Sequence, residues 1–410
     1  MTTTCCRSCA APLTRSFVDL GRSPLANSFI KADGVKKMEC FFPLHAFVCD
    51  SCFLVQLEDY ESPENIFSDY LYFSSYSQHW LAHCKAYAAE MTQRYGLGPS
   101  SLVVEIASND GYLLQYFKES GVGVLGVEPA ANVAKVAIEK GIRTDVAFFG
   151  VETARRLVAA GHRADLTAAN NVLAHVPDIN DFVGGFKILL KPTGVCTFEF
   201  PHLLQLIQQH QFDTIYHEHF SYLSLIAIEK IFARQGLAVY DVELLTTHGG
   251  SLRVFATHAD TAPPATDRLK SVRAAELTAR LDHPAGYENF ADEVAEVKCQ
   301  LLEFLIDARR AGKTVVGYGA PAKGNTLLNY CGVGTELIQY TVDASPHKQG
   351  MFLPGVQIPI HAPQKIFDTR PDYVLILPWN LKDEISTQMA GIRDWGGRFV
   401  VAIPKLTIQD

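Results

Sequence analysis

The chain has 410 residues, of which 48% are hydrophobic, 20% charged and 10% aromatic. This composition is typical of a globular protein with two or three domains, and it excludes the disordered and membrane-embedded classes. The net charge of −8 and the lack of a long basic block argue against nucleic acid as the main partner. No apolar run reaches about 18 residues, and cysteines stand where a signal peptide needs an apolar segment. We expect a cytoplasmic protein without a membrane partner.

Four of the ten cysteines are spaced as metal ligands: Cys6 and Cys9 form one Cys-x-x-Cys pair, and Cys49 and Cys52 form another. A two-residue spacer lets both sulfurs face one side of a tight turn, and two such turns close a tetrahedral Zn²⁺ site. Four thiolates leave no open position for substrate, so the predicted zinc is structural. Cys5 is a competing ligand with a less suitable spacer.

The predicted zinc module, residues 1–75, ends in an aromatic stretch that includes Tyr70 and Tyr72. One interpretation is a hydrophobic seam that packs this module against the next domain. The other is that these tyrosines direct hydroxyl groups into a cleft, which makes them candidate catalytic residues.

A helix predicted over 79–94 leads into a strand–loop–helix–strand unit at 102–128. In such units small loop residues let the backbone approach a ligand, and an acid after the second strand binds ribose hydroxyls. The loop lacks Gly-x-Gly-x-x-Gly, which disfavours NAD. Glu105 before the loop and Glu128 after the second strand instead resemble the class I methyltransferase pattern for S-adenosylmethionine (SAM). The alternative is an ordinary βαβ unit with surface acids.

The SAM interpretation assigns roles around this unit. SAM would contact Glu105 and the backbone near Ala107, Ser108 and Gly111, while Glu128 would bind the ribose. Asn109 and Asp110 would shape the turn, with Asn109 still counted in the cofactor site. A further strand predicted over 166–171 brings Asn170 to the adenine or amino-acid end of SAM. His175 follows that strand, at an edge where ligands collect in such sheets.

The densest polar cluster is Tyr216-His217-Glu218-His219 within residues 212–222. It supplies proton acceptors, an orienting acid and a hydroxyl donor. Its two histidines are two residues apart, whereas helical zinc ligands are four apart, so a metal is disfavoured here.

Residues 257–267 are rich in Ala, Thr and Pro and are predicted to be a linker. A long helix over 287–310 then precedes a second α/β unit. Its first strand runs into a loop with Lys323 and Asn325 that opens a helix, which predicts a phosphate site, and His347 and Lys348 add positive charge. The alternative is a scaffold domain with an incidental lysine.

The zinc module, the segment Val104–Gly111, Tyr216–His219 and the segment Gly317–Thr326 together resemble the sugar C-methyltransferase family over nearly the whole chain. Ala107 departs from the glycine common in that family. The resemblance implies SAM-dependent methylation at C3 of a dTDP- or GDP-linked 4-keto-deoxysugar. It also implies a zinc-bearing N-terminal domain and a Rossmann-like C-terminal domain that helps hold the nucleotide sugar. Patterns along the chain predict an α/β protein with the zinc module at 1–75, the class I methyltransferase domain at 76–255 and the C-terminal domain at 256–410.

Carbon methylation beside a ketone requires a base, and His219 is our candidate because its intrinsic pKa is near neutral. The resemblance places Tyr216, Glu218 and His175 in the same active site, where Tyr216 or His175 would donate to the enolate. Three alternatives remain open: an O- or N-methyltransferase of another small molecule, a zinc-stabilised nucleotide-sugar-binding protein, and an NAD oxidoreductase using the Gly317 loop. The oligomeric state is left open by the sequence.

Overall fold

A computed structural model describes residues 4–60, 74–76 and 78–409. The described strands are β1 Arg15–Ser23, β2 Phe42–Val48, β3 Val55–Leu57, β4 Leu102–Ile106, β5 Gly123–Val127, β6 Thr144–Asp145, β7 Ala164–Asn170, β8 Leu190–Pro201, β9 Ser221–Tyr222, β10 Leu237–Leu245, β11 Ser251–His258, β12 Val315–Tyr318, β13 Thr341–Val342, β14 Ile360–His361, β15 Tyr373–Ile376, β16 Arg398–Val401 and β17 Thr407–Gln409.

The described α-helices are α1 Gln78–Tyr95, α2 Leu114–Glu119, α3 Ala131–Glu139, α4 Val151–Ala159, α5 Ile179–Leu189, α6 Leu203–Gln208, α7 Leu225–Arg234, α8 Asp267–Thr278, α9 Phe290–Arg310, α10 Ala322–Cys331, α11 Gln364–Thr369 and α12 Lys382–Gln388. Short 3₁₀ turns that matter below are Leu173–His175, Phe212–Thr214, Thr247–Gly249 and Trp379–Leu381. None of the helices in the described ranges is long and apolar enough to cross a membrane.

The chain forms two compact units. The first unit comprises Met1–Leu13, Cys49–His202 and Phe220–His283, and the second comprises Thr14–Val48, Leu203–His219 and Pro284–Asp410. The division into three domains at 75/76 and 255/256 remains a prediction from composition and motifs.

The first unit is built on a seven-stranded sheet of order β10-β11-β8-β7-β4-β5-β6. Strands β4 to β8 are mutually parallel, whereas β11 runs antiparallel to β8. β4 is almost entirely buried, as expected for an apolar strand in the centre of a parallel sheet. Helix α1 packs into the core beside it through Tyr87 and Met91, which are 2% and 0% exposed. The loops that follow β4, β7 and β8 therefore lie at one edge of the sheet, because parallel strands end together.

The second unit contains a six-stranded sheet of order β14-β13-β12-β15-β16-β17, parallel except for β17. The chain order reverses at β12, which pairs with β13 on one side and β15 on the other. Such a switch point opens a crevice at the carboxyl ends of the two central strands. This unit also holds the β1–β2 hairpin, where Phe17 stacks on Phe290 of α9 with ring centroids 4.5 Å apart.

The predicted linker begins too early. Thr257 and His258 complete β11, because their backbones pair with Ala238 and Leu237 of β10. Thr266 is the N-cap of α8, and its side chain accepts a hydrogen bond from the Leu269 N–H. Only the residues between this strand and this cap form a connection.

Candidate functional site

The four predicted zinc ligands come together in the first unit. Their Sγ atoms lie within 4.8 Å of one another, and the Cys6–Cys52 and Cys9–Cys49 Sγ pairs are each 3.5 Å apart. A disulfide needs about 2 Å, whereas thiolates bound to one tetrahedral Zn²⁺ lie roughly 3.8 Å apart. The cluster therefore fits zinc and offers no position for a substrate. Cys5 is exposed and lies outside it.

The two Cys-x-x-Cys turns have the same backbone form. The Ala10 N–H donates to the Cys6 carbonyl at 2.8 Å, and the Phe53 N–H donates to the Cys49 carbonyl at 2.9 Å. Ala10 and Phe53 have φ values of 60° and 63°, a left-handed conformation that residues other than glycine rarely adopt. The turns therefore form against the local preference of Ala10 and Phe53, and shared coordination of one Zn²⁺ would offset that cost.

The loop after β4 turns sharply through three left-handed residues: Ala107, Asn109 and Gly111 have φ values of 58°, 47° and 78°. The Asn109 side chain accepts from the Ser74 and Asp110 N–H groups, both at 3.0 Å, so it shapes the turn. A Cβ at position 111 would lie 3.0 Å from Ile142, so Gly111 answers both a conformational and a steric requirement.

Glu128 fixes this loop to the end of β5. One carboxylate oxygen accepts from the Asn109 N–H and the other from the Ala130 N–H, both at 2.9 Å. Burial raises the pKa of Glu128, and these two backbone bonds oppose the rise. Each oxygen has a second lone pair, so the carboxylate can still accept from ribose hydroxyls.

Several buried polar atoms beside this loop lack hydrogen-bond partners among the described residues: both Glu105 carboxylate oxygens, Ser108 Oγ and Asn170 Oδ1. Burial raises the pKa of Glu105 well above its ordinary value. An unsatisfied buried polar atom costs about 1–3 kcal/mol. A polar, positively charged ligand at this edge would remove that cost, so the residues fit SAM.

The Tyr216–His219 segment lies in the second unit. His219 Nδ1 is 2.9 Å from the Thr214 carbonyl oxygen. Because a carbonyl only accepts, Nδ1 of the neutral ring carries the proton and Nε2 carries the lone pair. The Tyr216 ring lies against the imidazole, with centroids 4.0 Å apart and a 34° interplanar angle. The 3₁₀ turn Phe212–Thr214 thus sets the tautomer that a base requires.

Glu218 is held by a residue far away in sequence. The Asn27 amide donates to both carboxylate oxygens, at 2.9 and 2.8 Å. Burial raises the pKa of Glu218 to about 6, and the Asn27 bond opposes the rise. His217 has a different environment, since its Nε2 donates to the Pro43 carbonyl at 3.0 Å and burial lowers its pKa.

Lys323 lies at the switch point of the second sheet, where α10 begins. Its Nζ donates to Asn380 Oδ1 at 2.8 Å and lies 4.5 Å from the centre of the Trp379 ring. The Trp379 indole N–H donates to Asp213 at 2.7 Å. Burial raises the pKa of Asp213 to about 6 and lowers that of Lys323, while the attraction between the two opposes both shifts.

The other predicted substrate-binding residues have unequal surroundings. The Asn325 amide donates to the Ala26 carbonyl at 2.6 Å, next to Asn27. Lys348 Nζ donates to the Ala320 carbonyl at 2.8 Å and lies 5.0 Å from the centre of the Phe29 ring. His347 is exposed. Asn325 and Lys348 therefore support the loop around Lys323 in addition to any contact with a ligand.

The remaining predicted catalytic residues are divided. His175 ends the 3₁₀ turn after β7 in the first unit and is half-buried. Tyr216, Glu218 and His219 lie together in one segment of the second unit. Tyr70 and Tyr72 lie outside the described residues.

Sequence reasoning missed Asn27 and Lys140. Lys140 Nζ holds Asp110 of the loop after β4 through its carboxylate at 3.1 Å and its carbonyl at 3.0 Å. No local pattern marks Asn27, because its partner is 191 positions away. Lys140 could have been found from the sequence, because it is a positive charge directly after helix α3, which follows β5.

Three family models together match most of the chain. Residues 6–67 match the "Putative zinc binding domain", residues 78–242 the "Methyltransferase domain", and residues 246–404 the "C-methyltransferase C-terminal domain". The C-methyltransferase NovU of Streptomyces niveus is 36% identical over 400 residues, which cover 98% of this chain and 95% of that protein. A ubiquinone biosynthesis O-methyltransferase of Methylobacterium sp. (strain 4-46) is 32% identical over 123 residues, covering 28% of this chain and 48% of that protein.

Solved structures resemble parts of the chain weakly. PH0226 protein from Pyrococcus horikoshii OT3 has 14% identity and a TM-score of 0.38, covering 48% of this chain and 99% of that one. Magnesium protoporphyrin IX methyltransferase (ChlM) from Synechocystis PCC 6803 with bound SAM has 15% identity and a TM-score of 0.34, covering 43% and 79%. These likenesses carry no further argument.

The sheet order, the loop after β4 and the matched domains define a SAM-dependent methyltransferase of class I fold with an N-terminal zinc module. The chain belongs to the C-methyltransferase family, and its identification as a sugar C-methyltransferase relative from sequence motifs is confirmed. The predicted fold class and cofactors, SAM and structural Zn²⁺, are confirmed as well.

Proposed function

We propose that this enzyme methylates C3 of a dTDP- or GDP-linked 4-keto-deoxysugar after base-catalysed enolisation. Membership of the C-methyltransferase family supports methylation of carbon. The main structural support for the proposal is the tautomer of His219, which the Thr214 carbonyl fixes. A carbon acceptor becomes nucleophilic only after it loses a proton, so it needs a base of near-neutral pKa. An oxygen or nitrogen acceptor has a lone pair already.

His219 Nε2 takes the C3 proton, and the C–H electron pair moves into the enolate while negative charge develops on the C4 oxygen. Tyr216, packed against the His219 ring, donates a hydrogen bond to that oxygen, with His175 as the alternative donor. Glu218 orients an imidazole or anchors a sugar hydroxyl. Tyr70 and Tyr72 are further proposed members of this set. Bound SAM supplies a methyl group on a positively charged sulfur, which the nucleophilic carbon requires.

The proposed SAM site consists of Glu105, Glu128 and Asn170 with the loop residues Ala107, Ser108, Asn109 and Gly111. Glu128 accepts from the ribose, because its oxygens keep free lone pairs. Glu105 balances the positive charge of the ligand, since its carboxylate has no other cation among its described hydrogen-bond partners.

The proposed nucleotide-sugar site of the second unit uses Lys323, Asn325, His347 and Lys348. Lys323 opens the ten-residue helix α10 at a sheet switch point, which suits the negative charge of a diphosphate. The four-cysteine cluster has the Sγ spacing of a zinc site and not of disulfides, which supports a reducing, cytoplasmic location.

The test offers SAM with dTDP- and GDP-linked 4-keto-deoxysugars and follows product mass, together with C3 hydrogen exchange in D₂O without SAM. Wild-type protein should exchange the C3 hydrogen and add one methyl group to carbon. His219→Ala should lose both by at least about 100-fold, the lower end of the range for general-base catalysis, while SAM binding is retained. His210→Ala changes a half-buried histidine of the same unit; it is the matched control and should keep both.

Absence of C3 exchange together with an O- or N-methylated product would favour a heteroatom methyltransferase. A protein that binds nucleotide sugars but turns over no acceptor, with His219→Ala indistinguishable from wild type, would favour the binding-protein alternative.

A further inference from the structure

A second cluster of ionisable side chains lies at the carboxyl edge of the first sheet, and none of the proposed roles uses it. Strand register aligns Asn170 of β7 with Glu199 of β8, and Glu199 with Arg253 of β11. Directly paired residues project from the same face of a sheet. Glu199 and Arg253 thus continue the row that begins with the proposed SAM ligand Asn170.

The centre of this cluster is a buried ion pair. Arg253 donates to Glu199 at 2.9 Å and to Glu243 at 2.9 Å, while the Thr247 hydroxyl donates to the other Glu199 oxygen at 3.0 Å. The Glu199 side chain is 0% exposed and that of Arg253 3%. Burial alone would raise the pKa of Glu199, but His83 and Arg253 together lower it. Glu199 is therefore a fixed negative charge.

His83 of α1 completes the cluster and is its accessible member. Its Nε2 lies 2.9 Å from Glu199 and 3.1 Å from an Arg253 nitrogen. Nε2 thus faces a carboxylate that only accepts and a guanidinium that only donates, and the ring presents Nδ1 away from both groups. The His83 side chain is 18% exposed, in contrast to fully buried Glu199.

Aromatic side chains and one left-handed residue surround His83. Trp80 stacks on the imidazole with centroids 5.0 Å apart, and it also approaches Tyr112 of the SAM loop at 6.0 Å. His248, which is left-handed (φ 55°), makes an edge contact with Trp80 at 5.6 Å. Backbone strain clusters at functional sites, and ligands of such sheets bind at the carboxyl ends of the strands.

We propose that His83 hydrogen-bonds a hydroxyl or amino group of the methyl acceptor, and that the Glu199–Arg253 pair is a positioning device for its ring. Glu105 and Glu128 serve the β4–β5 side of the sheet edge, where SAM is expected. The β8 side, beyond Asn170, is then left for the acceptor. This inference rests on the proposed function for the acceptor class.

The experiment compares His83→Ala and His83→Asn with His79→Ala. His79 is exposed and lies one turn earlier on the same helix, so it controls for changes to α1. Binding of dTDP- and GDP-linked 6-deoxyhexoses without a keto group is measured by calorimetry in the presence of S-adenosylhomocysteine. Turnover of the 4-keto sugars gives KM and kcat.

His83→Ala should weaken binding of the sugar nucleotide about 10-fold, equivalent to about 1.4 kcal/mol, and change SAM affinity less than twofold. Added imidazole should restore part of the turnover, a rescue that a purely structural role would not give. His83→Asn should fall between alanine and wild type, and His79→Ala should match wild type. Equal acceptor binding in His83→Ala and His79→Ala, or parallel loss of SAM binding and acceptor binding, would overturn the inference.

These measurements separate the two proposals. If wild-type protein binds the sugar nucleotides but methylates none of the keto sugars, the proposed function fails, while the binding comparison still decides the role of His83. If wild-type protein methylates the keto sugar and His83→Ala keeps its KM and kcat, the function stands and the inference fails. If wild-type protein binds no sugar nucleotide, both fail.

Discussion

Two buried carboxylates of one sheet have opposite environments. Glu105 in β4 and Glu199 in β8 are both 0% exposed. Glu199 accepts hydrogen bonds from His83, Thr247 and Arg253, and its pKa is lowered. Glu105 has none of these partners, and its pKa is raised well above the ordinary value.

The two carboxylates obtain their counter-charge in different ways. At the end of β8 the protein supplies its own counter-charge, so the carboxylate is ionised and fixed without a ligand. At the end of β4 no cation is among the described hydrogen-bond partners of Glu105. If Glu105 contacts SAM as we propose, binding of that cation and ionisation of Glu105 would favour each other. Glu218 of the second unit is intermediate, with the Asn27 amide as a neutral donor.

The largest expected effect comes from removing the counter-charge of Glu199. Arg253→Met keeps an apolar stem but leaves a buried carboxylate without its cation, and it should lower the free energy of unfolding by about 3–5 kcal/mol. Urea denaturation at pH 8 measures it. Arg156→Met, which removes the exposed partner of Asp145, is the matched control and should cost less than about 1 kcal/mol.

The double variant Arg253→Met, Glu199→Gln should regain part of the loss, because the buried charge is gone. A loss below about 1 kcal/mol in Arg253→Met would show that Glu199 does not depend on its cation.

Glu105→Gln tests the other side of the comparison. Since SAM is positively charged, it binds better when Glu105 is ionised, and Gln should weaken SAM about 10-fold at pH 8, or about 1.4 kcal/mol. The affinity of the wild type for SAM should increase as the pH rises through the raised pKa of Glu105. The variant has no carboxyl group at this position and should lack this increase. Calorimetric titration between pH 6 and 9 measures both.

The stability of Glu105→Gln should change in the opposite direction. The pKa of Glu105 is higher in the folded protein than in the unfolded chain. Its contribution to the free energy of unfolding is therefore fully present below the unfolded pKa and is lost as the pH rises through the folded pKa. The variant should therefore match wild type in acid and exceed it in alkaline solution. Equal SAM affinity and equal pH slope in both proteins would remove Glu105 from the site.

Glu218 provides the intermediate case. Its pKa of about 6 exceeds the ordinary value of 4.5, so the wild type should lose about 2 kcal/mol of unfolding free energy relative to Glu218→Gln between pH 4.5 and 8. Chemical denaturation at several pH values gives the difference. Asn27→Ala removes the opposing bond and should move the transition to higher pH. A difference that stays flat across this range would contradict the assigned environment.

The smallest expected effect comes from a substitution in the loop after β4. Ala107 is left-handed with φ 58°, so Ala107→Gly should stabilise the fold by about 1 kcal/mol. Ala275→Gly, in the exposed middle of α8, is the control of opposite sign and should destabilise by about 1 kcal/mol. Thermal unfolding of both variants checks the pair, and a destabilised Ala107→Gly would contradict the backbone assignment.

Much of the fold followed from local patterns. The strand predicted from the apolar run at 102–106 is β4 with the same bounds, and the helix predicted over 79–94 is α1 within one residue at each end. β1 was missed because bulges at Ser16/Val18 and Asp19/Arg22 break its alternation of buried and exposed residues.

Local sequence patterns were enough to predict the zinc ligands, the order of strands and helices around the loop after β4, and the family. Each depends on residues a few positions apart, where spacing fixes geometry. The packed fold was needed to show which carboxyl pKa values are raised or lowered, which nitrogen of the neutral His219 ring carries the proton, and that Asn27 holds Glu218. Those properties depend on partners brought together from distant parts of the chain by packing, and no local period encodes such a pairing.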